Sequence, residues 1–389
     1  MYGFLLARPD GVLRASGTRG TFDEVAGAAR ALRDGSAELV VGALPFDPRL
    51  PAALNIPAHA EHTAGPWRPA ALPELPAVRV VSEMPSPAEH IARVTKLIEQ
   101  LNDPALPLRK VVAARSVLAE AADPLDPELT AAHLLTRHPH ANVFAVDLSP
   151  SGRLGTLVGA TPEVLVERRG ATVMLRPLAG TARRLADPAA DLAQARELLA
   201  SNKNRDEHAF VIDWIRERLG PVCRELNIPD GPELVSTNEV WHLATPITGT
   251  LRDPAVSALD LAVLLHPTPA VCGTPTELAL DTIADIEEER GFYGGAVGWC
   301  DAYGDGAWVV AIRCAELSAD GRSVRAFGGG GIVAASDPRA ELDETTAKLR
   351  TLLGGLHCAV PEHSESGIED EPKTAQPVVV PGHPEQTPR

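Results

Sequence analysis

The chain has 389 residues, of which 44% are hydrophobic and only 4% aromatic, so a sizeable core must be built from Leu, Val, Ile and Ala. Its formal charge of −16 argues against nonspecific binding to nucleic acid or to an anionic membrane. A small anionic substrate is not excluded, because a local cluster of Arg, Lys and Mg²⁺ overrides the mean field.

At the start, residues 1–8 lack the basic region and long apolar run of a signal peptide. No stretch of the chain approaches the roughly 18 apolar residues that cross a bilayer. Five widely spaced cysteines with no Cys-x-x-Cys give neither a disulfide framework nor a zinc site, and a reducing cytoplasm is the expected location. Leu39 to Leu44 reads as a buried strand, and residues 45–85 as mostly loop and edge structure. A helix is predicted over Pro87 to Leu101, capped by Ser86 and buried through Ile91, Val94, Leu97, Ile98 and Leu101. Lys110 to Ala114 is a strand, and a helix opening at Asp126 and Pro127 runs to Arg137. Strands follow at 143–146 and 155–159, then a hairpin of 164–166 with 171–175, closed at Arg169-Gly170.

A long helical region spans about 188–225, with a break near Asn202. Its second half buries Val211, Trp214, Ile215 and Leu219 and presents Asn204, Glu207 and His208 on a neighbouring face. Then come a strand at 247–251, helices at 258–265 and up to 288, and strands at 294–300, 308–316 and 323–327. Asp337 and Pro338 open a last helix to Leu353. The chain divides into an N-terminal part at 1–85, a main region at 86–356, and a tail at 357–389 whose Pro, Glu, Ser, Gln and Thr predict disorder. Interleaved helices and hairpins predict one large α+β domain with mixed, mainly antiparallel sheets flanked by helices. No sustained heptad is present, and a monomer is expected.

Two helices offer oxygen ligands on one face. One carries Asn204 and Glu207; the other carries Glu341 and Glu344, with Lys348 four residues on. Clustered carboxylates are costly without a cation, and hard oxygen donors favour Mg²⁺. Each helix alone also fits an ordinary solvated face, and Glu344 with Lys348 is a favourable helical pair anywhere. Lys110, opening an apolar strand, is either a strand-end lysine reaching solvent or a desolvated base. Glu163, after Thr161-Pro162, is either a turn glutamate or a general acid with a raised pKa. Gly328 to Gly331 is a poor strand interior, and reads as a bulge, a loop or a backbone approach to an anion. Arg313 sits in an apolar strand and needs a carboxylate partner, from the protein or from a ligand. His242 is a hydrogen-bonded core histidine or a site residue.

Taken in order, these segments resemble the chorismate-utilising enzymes, and among them the isochorismate synthases. The resemblance is carried by residues 109–112, 159–163, 177–184, 240–245, 265–275, 290–300, 311–314, 331–333, 336–338 and 341–348. It implies a single buried chorismate site, Mg²⁺, and water adding at ring C2 as the C4 hydroxyl leaves. It implies Lys110 as the base and Glu163 as the acid. Glu207 and Glu344 would ligate Mg²⁺ with Glu341 close by. Gly180 and Thr181 would help hold the ring carboxylate. Arg313, Tyr293 and the Gly329 backbone would hold the enolpyruvyl carboxylate, with Lys348 and His242 nearby.

Lys110 favours water over ammonia, since relatives that use ammonia usually have Gln there, and Ala179 stands where some relatives carry a nucleophilic Lys. The alternatives are a salicylate synthase, which goes on to eliminate pyruvate, and a chorismate-binding protein without turnover. Departures from the family pattern are Asn202 and Asn204 in place of carboxylates, Gly328 and Gly330 in place of alanines, and Ala307 in place of a Glu. The two glycines should loosen that segment by roughly 0.5–1 kcal/mol each. The sequence leaves open whether the product serves siderophore, menaquinone or other aryl biosynthesis.

Overall fold

The apolar runs explain the layering. In Asn142–Asp147, Phe144 and Val146 enter one core while Val143 and Ala145 enter another. In Leu39–Leu44, Val41 and Ala43 share the first core and Val40 and Leu44 join a third. A strand that is apolar on both faces must be covered on both. The computed structural model, which describes residues 3–69 and 72–358, meets this demand with two stacked sheets of ten and nine strands.

Phe4, Leu6, Phe144, Val297, Val309 and Phe327 pack between the two sheets. Helices Pro127–Arg137 and Pro338–Gly355 cover the outer face of the ten-stranded sheet. Val25–Arg33, Asn202–Leu219 and Ala258–Leu264 cover the nine-stranded one. A three-stranded sheet joins Leu178–Arg183, Val240–Ala244 and Glu233–Ser236. Every pairing among the described residues is antiparallel, so the fold is the expected α+β class with wholly antiparallel sheets. Among them, no helix is long and apolar enough to cross a membrane. The tail expected to be disordered lies, beyond residue 358, outside the described residues.

The predicted helix starts are found where the capping residues put them. Ser86 and Glu89 cap each other at Pro87–Leu101, Asp126 accepts from Leu129 N, and Asp337 accepts from Ala340 N. Four expectations need correction. The helical region expected over 188–225 has its expected break, between Pro188–Ala200 and Asn202–Leu219, but ends at Leu219 and not at 225. Ser201 caps the second, Gly220-Pro221 ends it, and Cys223–Asn227 is a strand. The strand expected at 110–114 runs on to Ala121, paired on both edges.

The strand expected over 308–316 is two strands in different sheets, Gly306–Val310 and Cys314–Leu317. Arg313 lies between them with φ 52°, in the left-handed region. The strand expected to end at Phe327 continues to Ile332 through all four glycines, which pair with residues 112–115. The glycine run is therefore a ladder, not a loop or bulge. Space explains it: a Cβ on Gly328 would stand 2.9 Å from Thr345 O, one on Gly329 2.8 Å from Tyr293 Oη, and one on Gly331 would overlap Glu207 Oε1. Close approach by helix Pro338–Gly355 on one face, and by site side chains on the other, outweighs the entropic cost of glycine in a strand.

Candidate active site

Lys110 is the first residue of the strand Lys110–Ala121 and is fully buried. Its Nζ lies 2.9 Å from Glu207 Oε1, an ion contact without hydrogen-bond alignment. Glu207 is brought there by helix Asn202–Leu219. Burial opposes ionisation of Glu207, but Lys110 first, together with the charges of Lys348 and Lys203, outweighs it and holds the carboxyl below its usual range.

An enclosed chamber is lined by Glu163, Gly180, Thr181, Glu207, His242, Tyr293, Arg313, Gly329, Gly331 and Lys348. Lys110 borders it behind Glu207 and Gly331: a Cβ on Gly331 would stand 2.9 Å from Lys110 Cε. Glu163 follows the strand Thr156–Thr161 and is 3% exposed. The backbone N–H of Leu178 donates to its Oε1 at 3.3 Å. Burial pushes this carboxyl up to about 7, against the Leu178 hydrogen bond and the charges of Lys110, Arg313 and Lys348. The chamber therefore holds a carboxylic acid that is half-protonated near neutrality.

Positive charge lies beside it. The hydrogen bond made by Arg313 goes to His242, Nη2 to Nε2 at 3.2 Å, and its Nε is buried without a partner. Among the described residues no carboxylate comes within ion-pair reach of Arg313, so the partner that its burial demands is not a protein side chain. Burial first, then Arg313 and Lys348, keep His242 neutral. Its Nδ1 faces Thr181 Oγ1 at 3.1 Å, so a line of contacts runs from Thr181 to His242 within the three-stranded sheet and on to Arg313 outside it. Lys348 Nζ holds Gly329 O at 2.9 Å and Glu344 Oε1 at 2.6 Å. Tyr293 stacks on Phe327 with ring centroids 5.0 Å apart, and burial raises its phenol so that it stays neutral.

A second, more open chamber shares Thr181, Glu207 and Gly331 with the first and adds Lys203, Asn204, Glu341 and Glu344. Glu341 is 2% exposed; its Oε1 accepts from Lys203 Nζ at 3.0 Å and from Ser336 Oγ at 2.7 Å. Burial, and then the Glu344 charge, push it up to about 7. Among the described residues no three His, Cys, Asp or Glu side chains already form a cation cage. Yet Glu341 Oε2 is buried without a partner, and a Cβ on Gly330 would stand 2.9 Å from it and 3.8 Å from Glu344 Oε1. Gly330 thus leaves room beside Glu341 and Glu344, and Glu207 lines the same chamber. An all-oxygen set with one orphaned buried oxygen fits a hard divalent cation.

The structure thus brings Glu163, Glu207, Gly180, Thr181, His242, Tyr293, Arg313, Gly329 and Lys348 to one chamber, with Lys110 on its border and Glu341 and Glu344 in the next. His208 does not join Glu207. Its ring is tied to Ala179 O at 3.2 Å and Thr245 Oγ1 at 2.7 Å, and burial pushes it down to about 4. Asn204 lines the outer chamber, but its Nδ2 is spent on Ser201 Oγ at 3.0 Å. Sequence reasoning missed Lys203 and Ser336, which hold Glu341. Lys203 beside Asn204 was the one available signal, since a lysine in a helix's first turn lies against the dipole preference. In a larger concavity elsewhere Arg115 pairs with Glu83, Arg290 with Glu287 and Arg325 with Glu288, while Arg93 donates to Ala114 O at 3.1 Å.

Comparison with known proteins bears on this geometry. Residues 66–357 match the family model described as "Chorismate binding enzyme". The chain is 48% identical over 361 residues to a Mycobacterium tuberculosis protein provisionally named isochorismate synthase MenF, covering 91% of this chain and 95% of that one. It is 41% identical over 374 residues to the isochorismate synthase DhbC of Bacillus subtilis, covering 91% and 93%. The crystal structure of Bacillus anthracis DhbC, provisionally a 2,3-dihydroxybenzoate-specific isochorismate synthase, superposes with a TM-score of 0.85 at 35% identity, covering 92% of this chain and 96% of that chain.

Proposed function

The chain belongs to the chorismate binding enzymes, and from that premise we propose that it is an isochorismate synthase, converting chorismate to isochorismate. The observation that carries the reading is Glu163, a buried carboxyl held near pH 7 in the chamber that Lys110 borders and Arg313 charges. Chorismate is a dianion, so a chamber with an unpaired buried guanidinium and a lysine suits its two carboxylates.

In this reading Lys110 acts as the neutral amine, having first shed its ammonium proton, and accepts a proton from the water that adds to ring C2. Glu163 gives its proton to the C4 hydroxyl, which departs as water, so the reaction is an isomerisation with no net change in water. Leu178 N–H fixes one oxygen of Glu163 and leaves the other to carry the proton. Arg313, aimed by neutral His242, pairs with the enolpyruvyl carboxylate, alongside the Tyr293 hydroxyl and the Gly329 backbone, with Lys348 near. Gly180 and Thr181 take the ring-carboxylate side. Glu207, Glu341 and Glu344 would hold Mg²⁺, which supplies charge neutralisation for that carboxylate.

The test is product identification. Purified protein given chorismate and Mg²⁺ should yield isochorismate by chromatography, and EDTA should stop it. Salicylate with pyruvate would identify a salicylate synthase instead, and tight chorismate binding without product would identify a binding protein.

A further inference from the structure

Three lysines answer three carboxylates around the outer chamber. Lys110 meets Glu207, Lys348 meets Glu344 and Lys203 meets Glu341. Two of them have further partners or roles, Lys348 on the Gly329 carbonyl and Lys110 at the inner chamber. Among the described residues Lys203 has no second hydrogen bond, and it has no place in the inner chamber. It lines the outer chamber with Arg183, Glu197 and Asp343, its side chain is 32% exposed, and the hydrogen bond it makes goes to Glu341 Oε1, with the charges of Glu344 and Glu207 also acting on it. Glu341 is otherwise short of positive charge. Its Oε2 has no partner, and Glu344 stands three residues along the same helix.

We propose that Lys203 is a built-in competitor for the divalent cation, an exchangeable counterion of Glu341 that weakens cation binding. The proposal rests on the reading that Glu207, Glu341 and Glu344 hold Mg²⁺. An ammonium and a divalent cation cannot share one carboxylate without mutual repulsion. A lysine on a four-carbon stem, one third in solvent, leaves Glu341 at small cost and is rehydrated as it goes. The fully buried Lys110 has no such exit. Asn204, one residue on, adds no negative charge to offset the ammonium, so Lys203 weighs on the balance unopposed by its neighbour.

The experiment is calorimetric titration of Mg²⁺ into the full chain without chorismate, for wild type, Lys203→Gln, Lys203→Met and Lys203→Arg. Removing the charge should tighten binding about fivefold in the Gln and Met variants, while Arg, which keeps the charge, stays near wild type. Binding that is unchanged or weaker in both neutral variants overturns the proposal. Lys203→Gln keeps a donor toward Glu341 and so guards against loss of folding in Lys203→Met. The rise in Tm on adding Mg²⁺ is a second readout, expected to be larger in the neutral variants. Failure of the wild-type protein to bind Mg²⁺ at all would sink the cation reading itself, an outcome distinct from equal affinity across the series.

Discussion

Lys110 Nζ and Glu207 Oε1 stand 2.9 Å apart, one side chain wholly buried and the other 12% exposed. The proposed base and a proposed cation ligand thus share one contact. Lys110→Ala should lower kcat about 10²–10⁴-fold through loss of the base. It should also cost about 3–5 kcal/mol of stability, because Glu207 is left buried and uncompensated. Urea unfolding with and without Mg²⁺ checks this: added Mg²⁺ should recover part of the loss.

Glu163 sets a pH limb. Its carboxyl is raised from 4.5 to about 7 in the fold, and only the protonated form donates to the leaving hydroxyl. In the free enzyme kcat/KM should therefore fall as pH rises through about 7, and Glu163→Gln should remove both the activity and the limb. Stability carries the same sign. The folded state binds the proton more tightly than the unfolded state, so this contribution is complete below about 4.5 and is lost as pH climbs toward 7. Wild type should lose stability across that window more steeply than Glu163→Gln; parallel curves would contradict the assignment.

Arg313→Lys should raise KM for chorismate, with kcat/KM down about 100-fold, since an ammonium cannot reproduce the planar donor fork. His242→Ala should act in the same direction but more weakly, because it removes the acceptor that aims Arg313 and leaves the charge. Steady-state kinetics distinguish the two: an effect on kcat alone would place Arg313 away from substrate binding.

Gly331→Ala should destroy activity. The new methyl overlaps Glu207 Oε1 and presses on Lys110 Cε, with an overpacking cost of about 1–3 kcal/mol. Activity near wild type, measured with a melting curve, would show that the two chambers tolerate a wall between them.

Asn204→Asp adds a negative charge to the outer chamber and should lower the Mg²⁺ concentration for half-maximal activity about threefold to tenfold. An unchanged requirement would remove this position from the cation's surroundings.

Most of the frame was legible in the chain, and the failures have physical causes. Asp126-Pro127 and Asp337-Pro338 fix helix starts through local bonding, which sequence displays directly. The residues of the resemblance were likewise gathered from afar into one place. What sequence hid was packing. Four successive glycines read as a break, because the tight contacts that require them come from Thr345, Tyr293 and Glu207, remote in sequence. His208 looked like a companion of Glu207, since adjacency on a helix does not reveal that Ala179 and Thr245 claim its ring. The apolar run 308–316 concealed a change of sheet, because both halves are equally buried.

That change of sheet has a consequence of its own. Arg313 occupies the seam where the chain leaves the nine-stranded sheet for the ten-stranded one, and an arginine there accepts a left-handed backbone at a cost of about 1–2 kcal/mol. An anion clasped by this guanidinium would therefore rivet the two layers together from inside. Ligand occupancy and the cohesion of the whole sandwich should then rise and fall as one quantity, and the seam should be the first place to open when the chamber is empty.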